Sequence, residues 1–324
     1  GLAALASTKL SAETLAYFKS LFADKLAADT VTSLEEGAAT ASLSKLADKL
    51  GKSFESSLDA LKNTEAVLSL ELDLVKDHQV AGFFVKRQLQ EGTKLFVAGN
   101  KDLALSANAK GVLPLKPGSE AVLLVKLVDA VENGTDDKEL APVVAALKAA
   151  EKPVIVYGKT FAANADDIAL DALLKLAELT SAALVGVKGN ANSMAAAQLG
   201  LEAPFKAEKA SAAVVVLGDE APTAKLTKDL EAVPFVVALS AYESQLTGAA
   251  DVVLPVAMWA EESGSYLSMD GRLQKAIKSL EAPAGVPTTL ETLEKVAGVL
   301  KVQPDQDWKA SLMARTPTIQ IQEA

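Results

Sequence analysis

The sequence has no cysteine and a single histidine, His78. Without thiolates the chain cannot ligate an iron–sulfur cluster, close a disulfide or use a cysteine nucleophile. One imidazole excludes any site that needs two, and it leaves a Ser-His-Asp triad with one possible base. No apolar run reaches the ~18–20 residues of a membrane span. The opening stretch, Gly1 to Leu15, lacks the charged segment and apolar core of a signal peptide. A first residue other than Met is what a processed or excised chain is expected to show. No GxGxxG and no GxxxxGK[ST] phosphate loop occurs; Gly158-Lys159-Thr160 carries only the end of the second pattern. Basic clusters are also missing. Lys and Arg number 32 against 42 Asp and Glu, for a net charge of −10. That balance argues against nucleic acid and anionic membrane as primary partners. A soluble, intracellular setting is expected.

What is present is a large apolar inventory: 324 residues, half of them hydrophobic, enough for roughly two domains with sizeable cores. Short runs rich in Val, Ile and Leu recur at Glu65–Leu70, Lys94–Ala98, Pro153–Tyr157, Ala183–Val187, Ala212–Leu217, Pro234–Leu239 and Asp251–Leu254. They are continuous rather than alternating, the pattern of parallel strands covered on both faces. Amphipathic stretches lie between them: Ser11–Ala28, Asp77–Glu91, Ser119–Glu132, Asp137–Glu151, Ala165–Thr180 and Thr223–Glu231. This β-α-β alternation predicts an open, doubly wound, mostly parallel α/β architecture. The polar stretch Glu132–Lys138 is read as a boundary. The expected division is a first α/β unit at 1–135, a second at 136–281, and a C-terminal helix (Thr288–Lys301) and tail at 282–324. The final alternating residues read as an edge strand or an arm.

In such sheets ligands bind at the carboxyl ends of strands. Gly158-Lys159-Thr160, Lys188 to Ser193 and Gly218 to Pro222 follow predicted strands. Gly, Asn and Asp at these places turn the chain first and bind ligands second.

The segment Ala250-Asp-Val-Val-Leu-Pro255, Trp259-Ala-Glu-Glu-Ser-Gly-Ser-Tyr266, Met269-Asp-Gly-Arg-Leu-Gln274 carries more. It resembles the hallmark near the end of the second dinucleotide-binding unit of the molybdopterin oxidoreductase family. That family includes formate dehydrogenases, nitrate reductases and the large iron–sulfur subunit of NADH:quinone oxidoreductase (complex I). Other elements are similar and fall in the family's order: Glu65 to Ser69 with Val80-Ala-Gly82 and Gly92 to Val97, then Leu113 to Glu120. Lys152 to Gly158, Gly189 to Ser193 with Leu199-Gly200, and Val216 to Glu220 follow. The resemblance covers about residues 10–280. It is nearest to the molybdopterin-like domain of complex I, and it implies two Rossmann-like units.

Departures from the pattern set the functional expectation. Family enzymes place a metal-ligating Cys, selenocysteine or Ser ahead of the first dinucleotide loop. Here that region is Thr32 to Ala41, with Ser33 among its hydroxyls but no ligand-like motif. The first dinucleotide loop, usually glycine-bearing, is Leu68 to Asp73, where Glu71 and Asp73 repel a pyrophosphate. Ala98-Gly99-Asn100 stands where the family has an Arg.

The resemblance therefore implies a noncatalytic scaffold domain in the peripheral arm of a complex I-like assembly. It has no catalytic residue, no metal ligand and no cofactor of its own. Gly189, Asn190, Asn192, Gly218, Asp219, Glu220 and Arg272 are vestigial family positions. Iron–sulfur clusters and FMN are expected in partner subunits or segments. The expected location is the cytoplasmic, or equivalent, side of an energy-transducing membrane. Two alternatives stay open. One is a cofactor-binding relative of the formate dehydrogenases. The other is a small-molecule α/β enzyme using the turns at Gly158, Gly189 and Gly218. Among single residues, His78 reads as a helix cap and Trp259 as core or interface. Glu261 and Glu262 are adjacent and point apart, and Arg272 reads as a structural fork.

Overall fold

The computed structural model describes residues 1–35, 38–50, 57–100, 102–187, 189–269, 271–315 and 322–323. In chain order the strands are β1 (Leu2–Ala6), β2 (Thr30–Ser33), β3 (Ala66–Leu70), β4 (Lys94–Gly99), β5 (Gly111–Pro114), β6 (Val154–Tyr157) and β7 (Ala183–Gly186). They continue with β8 (Ala212–Gly218), β9 (Val236–Ser240), β10 (Val252–Pro255), β11 (Gly264–Leu267), β12 (Arg272–Ala276) and β13 (Gln322–Glu323). Every apolar run singled out in the sequence falls on one of them.

The chain forms two compact units, residues 45–189 and residues 1–44 with 190–324. In the first, five strands pair in parallel in the order β5-β4-β3-β6-β7. The central strands are buried on both faces, which explains their unbroken apolar runs: β3 and β6 have no exposed position. Each fully buried Leu or Val contributes ~1.5–3 kcal/mol of transfer free energy. Helices Glu120–Asn133 and Asp167–Thr180 pack on each other beside this sheet. Asp166 caps the second by accepting the Ala169 N–H.

The other unit holds a parallel sheet in the order β10-β9-β8-β1-β2. It also holds a small sheet, β11-β12-β13, whose last strand realises the expected C-terminal edge at Gln322–Glu323; residues 316–321 and 324 lie outside the described residues. Leu5, Val215, Leu217, Leu226, Leu230 and Leu246 form the core on one side of the larger sheet. Helix Thr289–Leu300 and helix Trp308–Met313 pack on helix Ala12–Lys19.

These units are not the consecutive ones expected at 1–135, 136–281 and 282–324. Strand β1 pairs with β2 on one side and β8 on the other, through Ala3↔Thr30 and Ala3↔Ala213. Hydrogen bonding therefore joins the first 44 residues to the last 135 rather than to β3. The polar stretch taken as a boundary joins two helices inside the 45–189 unit, and the C-terminal helices belong to the core of the other.

Candidate functional site

Each large sheet reverses its strand order once, and ligands of open α/β sheets bind beside that reversal. In the 45–189 unit it lies between β3 and β6. A crevice of about 640 Å³ opens there, lined by Glu71, Asp73 and Asp77 after β3, Gly99 at the end of β4 with Asn100 after it, Lys116 after β5 and Thr160 after β6. Glu71 is buried, has φ +45 and leaves its Oε2 without a hydrogen-bond partner. Burial raises its pKa from 4.5 to about 7, helped by the charge and hydrogen bond of Glu120, while Asn164 acts in opposition. Glu120 is itself buried and accepts the Gly118 N–H. These carboxyls are 49 positions apart in sequence, so no local signal announces them. Burial also pushes Asp73 up, but the N–H groups of Lys76, Val75 and Ala104 outweigh it and hold the carboxyl below the usual range. Asp77 accepts the Asp73 N–H.

A nucleotide phosphate does not fit these residues. Asp73 and Asp77 line the crevice where positive dipole is needed, and Lys116 offsets only part of their charge. The glycines do not leave a cradle either. A Cβ on Gly158 would lie 2.8 Å from Leu72 Cδ1, and one on Gly99 would lie 2.6 Å from Leu103 Cδ1. The space that glycine frees for backbone approach is taken by the chain's own leucines. His78, at the rim of this region, caps helix Gln79–Gln90 by accepting the Ala81 N–H at Nδ1.

In the other unit the reversal lies between β1 and β8. The loops there bring Ser7, Thr8, Glu35, Asn190, Asn192, Ser193 and Glu220 together. Ser7 Oγ donates to Glu220, Asn190 Nδ2 donates to Thr8 Oγ1 at 3.1 Å and Glu220 Oε1 at 3.3 Å, and Glu35 Oε1 accepts from Thr8 and Ser193. Asn192 is fully buried. Its Nδ2 donates to Leu10 O at 2.8 Å and Ser265 O at 3.0 Å, and its Oδ1 accepts the Leu267 N–H at 2.7 Å. A Cβ on Gly218 (φ +58) would lie 2.9 Å from Leu10 Cδ2. Thus Asn190, Asn192 and Glu220 do assemble, but they bond to protein. Asp219 is half-buried next to them. Gly189 has φ +55 and turns the chain out of the 45–189 unit. Arg272 stands exposed on β12, its N–H bonded to Ser268 Oγ. Lys188 and Asp270, which flank two of these motifs, lie outside the described residues.

Around the expected metal-ligand position, Thr32 Oγ1 donates to Ala203 O and Thr40 Oγ1 to Leu201 O. Ser33 Oγ is buried without a hydrogen-bond partner. Glu36 and Gly37 lie outside the described residues. Among the described residues no group of three His, Asp or Glu is arranged to hold a metal ion.

Glu261 and Glu262 do point apart. Glu261 accepts the Met258 N–H, and Glu262 accepts the Thr289 N–H. Burial raises the Glu262 pKa from 4.5 to about 7; the Thr289 N–H opposes this, and the charges of Asp219, Glu291 and Glu13 add to it. Tyr266 is pushed up to about 12 by burial and by Glu262, Asp219 and Glu13. Trp259, expected in core or interface, is not core: it is 59% exposed on a short turn of helix.

Comparison with known proteins fits both sheets. The family described as molybdopterin oxidoreductase matches residues 1–293. The chain belongs to the molybdopterin oxidoreductase family. Within it, the chain is 28% identical over 191 residues to the G subunit of NADH-quinone oxidoreductase from Rickettsia felis, covering 56% of this chain and 27% of that one. The corresponding protein of Rickettsia prowazekii is 38% identical over 58 residues, covering 18% of this chain and 9% of that one. The chain thus spans about a quarter of the length of the first curated relative. Among solved structures, the formyltransferase/hydrolase complex of Methylorubrum extorquens superposes with TM-score 0.65 at 13% identity, covering 93% of this chain and 92% of that one. Acetylene hydratase from Pelobacter acetylenicus gives 0.64 at 15%, over 93% of this chain and 55% of that one. At such identities the likeness establishes the fold alone.

Proposed function

We propose that this member of the molybdopterin oxidoreductase family is a noncatalytic scaffold part of a complex I-like NADH:quinone oxidoreductase. It packs in the peripheral arm while iron–sulfur clusters and FMN in partner subunits or segments carry the electrons. The arm lies on the cytoplasmic, or equivalent, side of an energy-transducing membrane; among the described residues no helix is long and apolar enough to cross one. The similarity to the Rickettsia NADH-quinone oxidoreductase proteins supports the assembly. The observation that carries the noncatalytic reading is the filling of the glycine positions. Leu72, Leu103 and Leu10 occupy the approaches to Gly158, Gly99 and Gly218, and Asp73 and Asp77 bring negative charge to the crevice a phosphate would enter. The same filling weighs against a nucleotide-using enzyme at those turns.

The decisive experiment purifies the full assembly from its source and measures molybdenum, tungsten and extractable pterin per chain. Trace amounts, together with co-purifying flavin- and cluster-bearing subunits, are expected. One metal with bound pterin per chain overturns the reading.

One observation favours the cofactor-binding alternative: the orphaned, buried Ser33 Oγ near the expected ligand position. In that case Ser33→Ala would strip metal from the assembly, whereas in a scaffold it leaves metal content unchanged.

A further inference from the structure

Strand β10 ends the sheet order of its unit, and among the described residues no strand pairs with its outer side. Asp251 donates its N–H to Val236 O, on the β9 side. In a parallel ladder a residue's N–H and C=O point the same way and alternate along the strand. Val252 and Leu254 therefore turn their backbone groups outward, offering two donors and two acceptors. Proteins blunt such edges with charge, proline or a covering element. Here the edge reads Val252-Val253-Leu254, and both valines are exposed. Pro255 lies in the inward-facing series opposite Ser240, so it removes no outward donor.

Alongside this edge runs an apolar groove of about 390 Å³, walled by Leu254, Pro255, Pro287, Val296, Val299 and Leu300. Its far wall is helix Thr289–Leu300, whose buried face packs on helix Ala12–Lys19 and whose Val299 is left 82% exposed. A second hollow shares Pro287 and Lys295 with the groove and carries Glu291, which also accepts the Thr288 N–H, and Glu294, so two carboxylates face one ammonium there. The surface thus combines an open backbone edge, an apolar trough and an end where acid outnumbers base by two to one. An open edge calls for a polypeptide backbone. The acidic end and the net charge of −10 favour a cationic occupant over a second copy of this chain or an anionic lipid surface.

We propose that β10 and the adjoining groove receive an extended segment of a partner polypeptide. The segment adds a sixth strand, sets apolar side chains at alternate positions against helix Thr289–Leu300, and brings a Lys or Arg to Glu291 and Glu294. This rests on the chain's being part of an assembly, but it has its own readout: the metal and pterin result above bears on the scaffold reading and leaves strand addition to be measured separately.

The test uses the full chain and a capped heptapeptide, Lys-Val-Thr-Val-Thr-Val-Lys, with two controls: N-methyl groups on alternate residues, and Glu in place of Lys. A Kd of roughly 0.1 mM is expected, because ordering costs offset most of the gain from so short a strand. Binding should slow amide exchange at Val252 and Leu254, and both controls should bind at least tenfold more weakly. Val252→Pro removes an outward N–H that the sheet does not use. Val299→Asp charges an exposed position. Each should leave the melting temperature unchanged and weaken binding at least tenfold. Three results overturn the proposal: no binding at millimolar peptide, equal binding of the N-methylated peptide, or a dimer in sedimentation that Val252→Pro dissociates.

Discussion

If Leu72 occupies the space that Gly158 leaves free, the two positions are energetically coupled, and a double-mutant cycle measures the coupling. Leu72 is 1% exposed, so Leu72→Ala loses its transfer free energy and leaves a cavity, for about 3 kcal/mol. Gly158 has an ordinary negative φ of −110, so Gly158→Ala carries no backbone strain. Its cost is crowding. The new methyl would meet Leu72 Cδ1 at 2.8 Å, Leu72 Cβ at 3.2 Å and Glu71 O at 3.3 Å, and overpacking of this kind costs about 1–3 kcal/mol. In the double variant the worst clash is gone and the methyl refills part of the cavity. The pair should then be less destabilised than the sum of the singles by about 1–2 kcal/mol. Both tryptophans lie outside the 45–189 unit, so their fluorescence does not report on it. Hydrogen exchange of peptides covering β3 and β6, followed through urea, does. Additivity within about 0.5 kcal/mol would refute the idea that Leu72 fills the glycine's space.

Other consequences follow from the same geometry. The folded-state pKa of Glu71 is raised from 4.5 to about 7, so the folded chain holds a proton that the unfolded chain releases. That contribution is fully present below pH 4.5 and is lost as pH rises through about 7. Exchange protection of β3 should therefore fall between those values, and Glu71→Gln should flatten the profile; an unchanged slope in the variant refutes the assignment. Asn192→Ala strands the Leu267 N–H and two carbonyls in the interior, and should cost about 3 kcal/mol with early loss of β11 in exchange experiments. Ser33→Ala removes an orphaned hydroxyl and should be neutral or slightly stabilising by thermal melting; a loss above about 2 kcal/mol would mean that the hydroxyl has a partner.

Much of this fold is legible in the order of residues alone. Runs such as Pro153–Tyr157 are continuous because a central parallel strand is covered on both faces, and β6 is buried at every position. Helix starts are legible for the same local reason: Ser11, Asp166, Thr223 and Thr288 each accept an N–H of the first turn. Strand β1, Leu2-Ala-Ala-Leu-Ala6, is not legible. Ala and Leu favour helix, and only the flanking β2 and β8 make this pentapeptide a strand. Without it the domain boundary falls in the wrong place. The site divides in the same way. The absent glycine at the first loop and the acids Glu71 and Asp73 can be read along the chain. The Glu71–Glu120 pair, and the meeting of Asn190 with Thr8 across 182 positions, cannot.

The sequence by itself determined the strands with continuous apolar runs, β3, β4 and β6 to β10, and the amphipathic helices between them, because those depend on side-chain type and on spacing within a few residues. Only the tertiary structure decided that residues 1–44 and 190–324 share a sheet. It alone placed leucines 72, 103 and 10 over glycines 158, 99 and 218, and left the outer side of β10 without a partner strand among the described residues. Those outcomes are set by which backbone groups find partners and which volumes are already filled, and both depend on residues far apart in the chain.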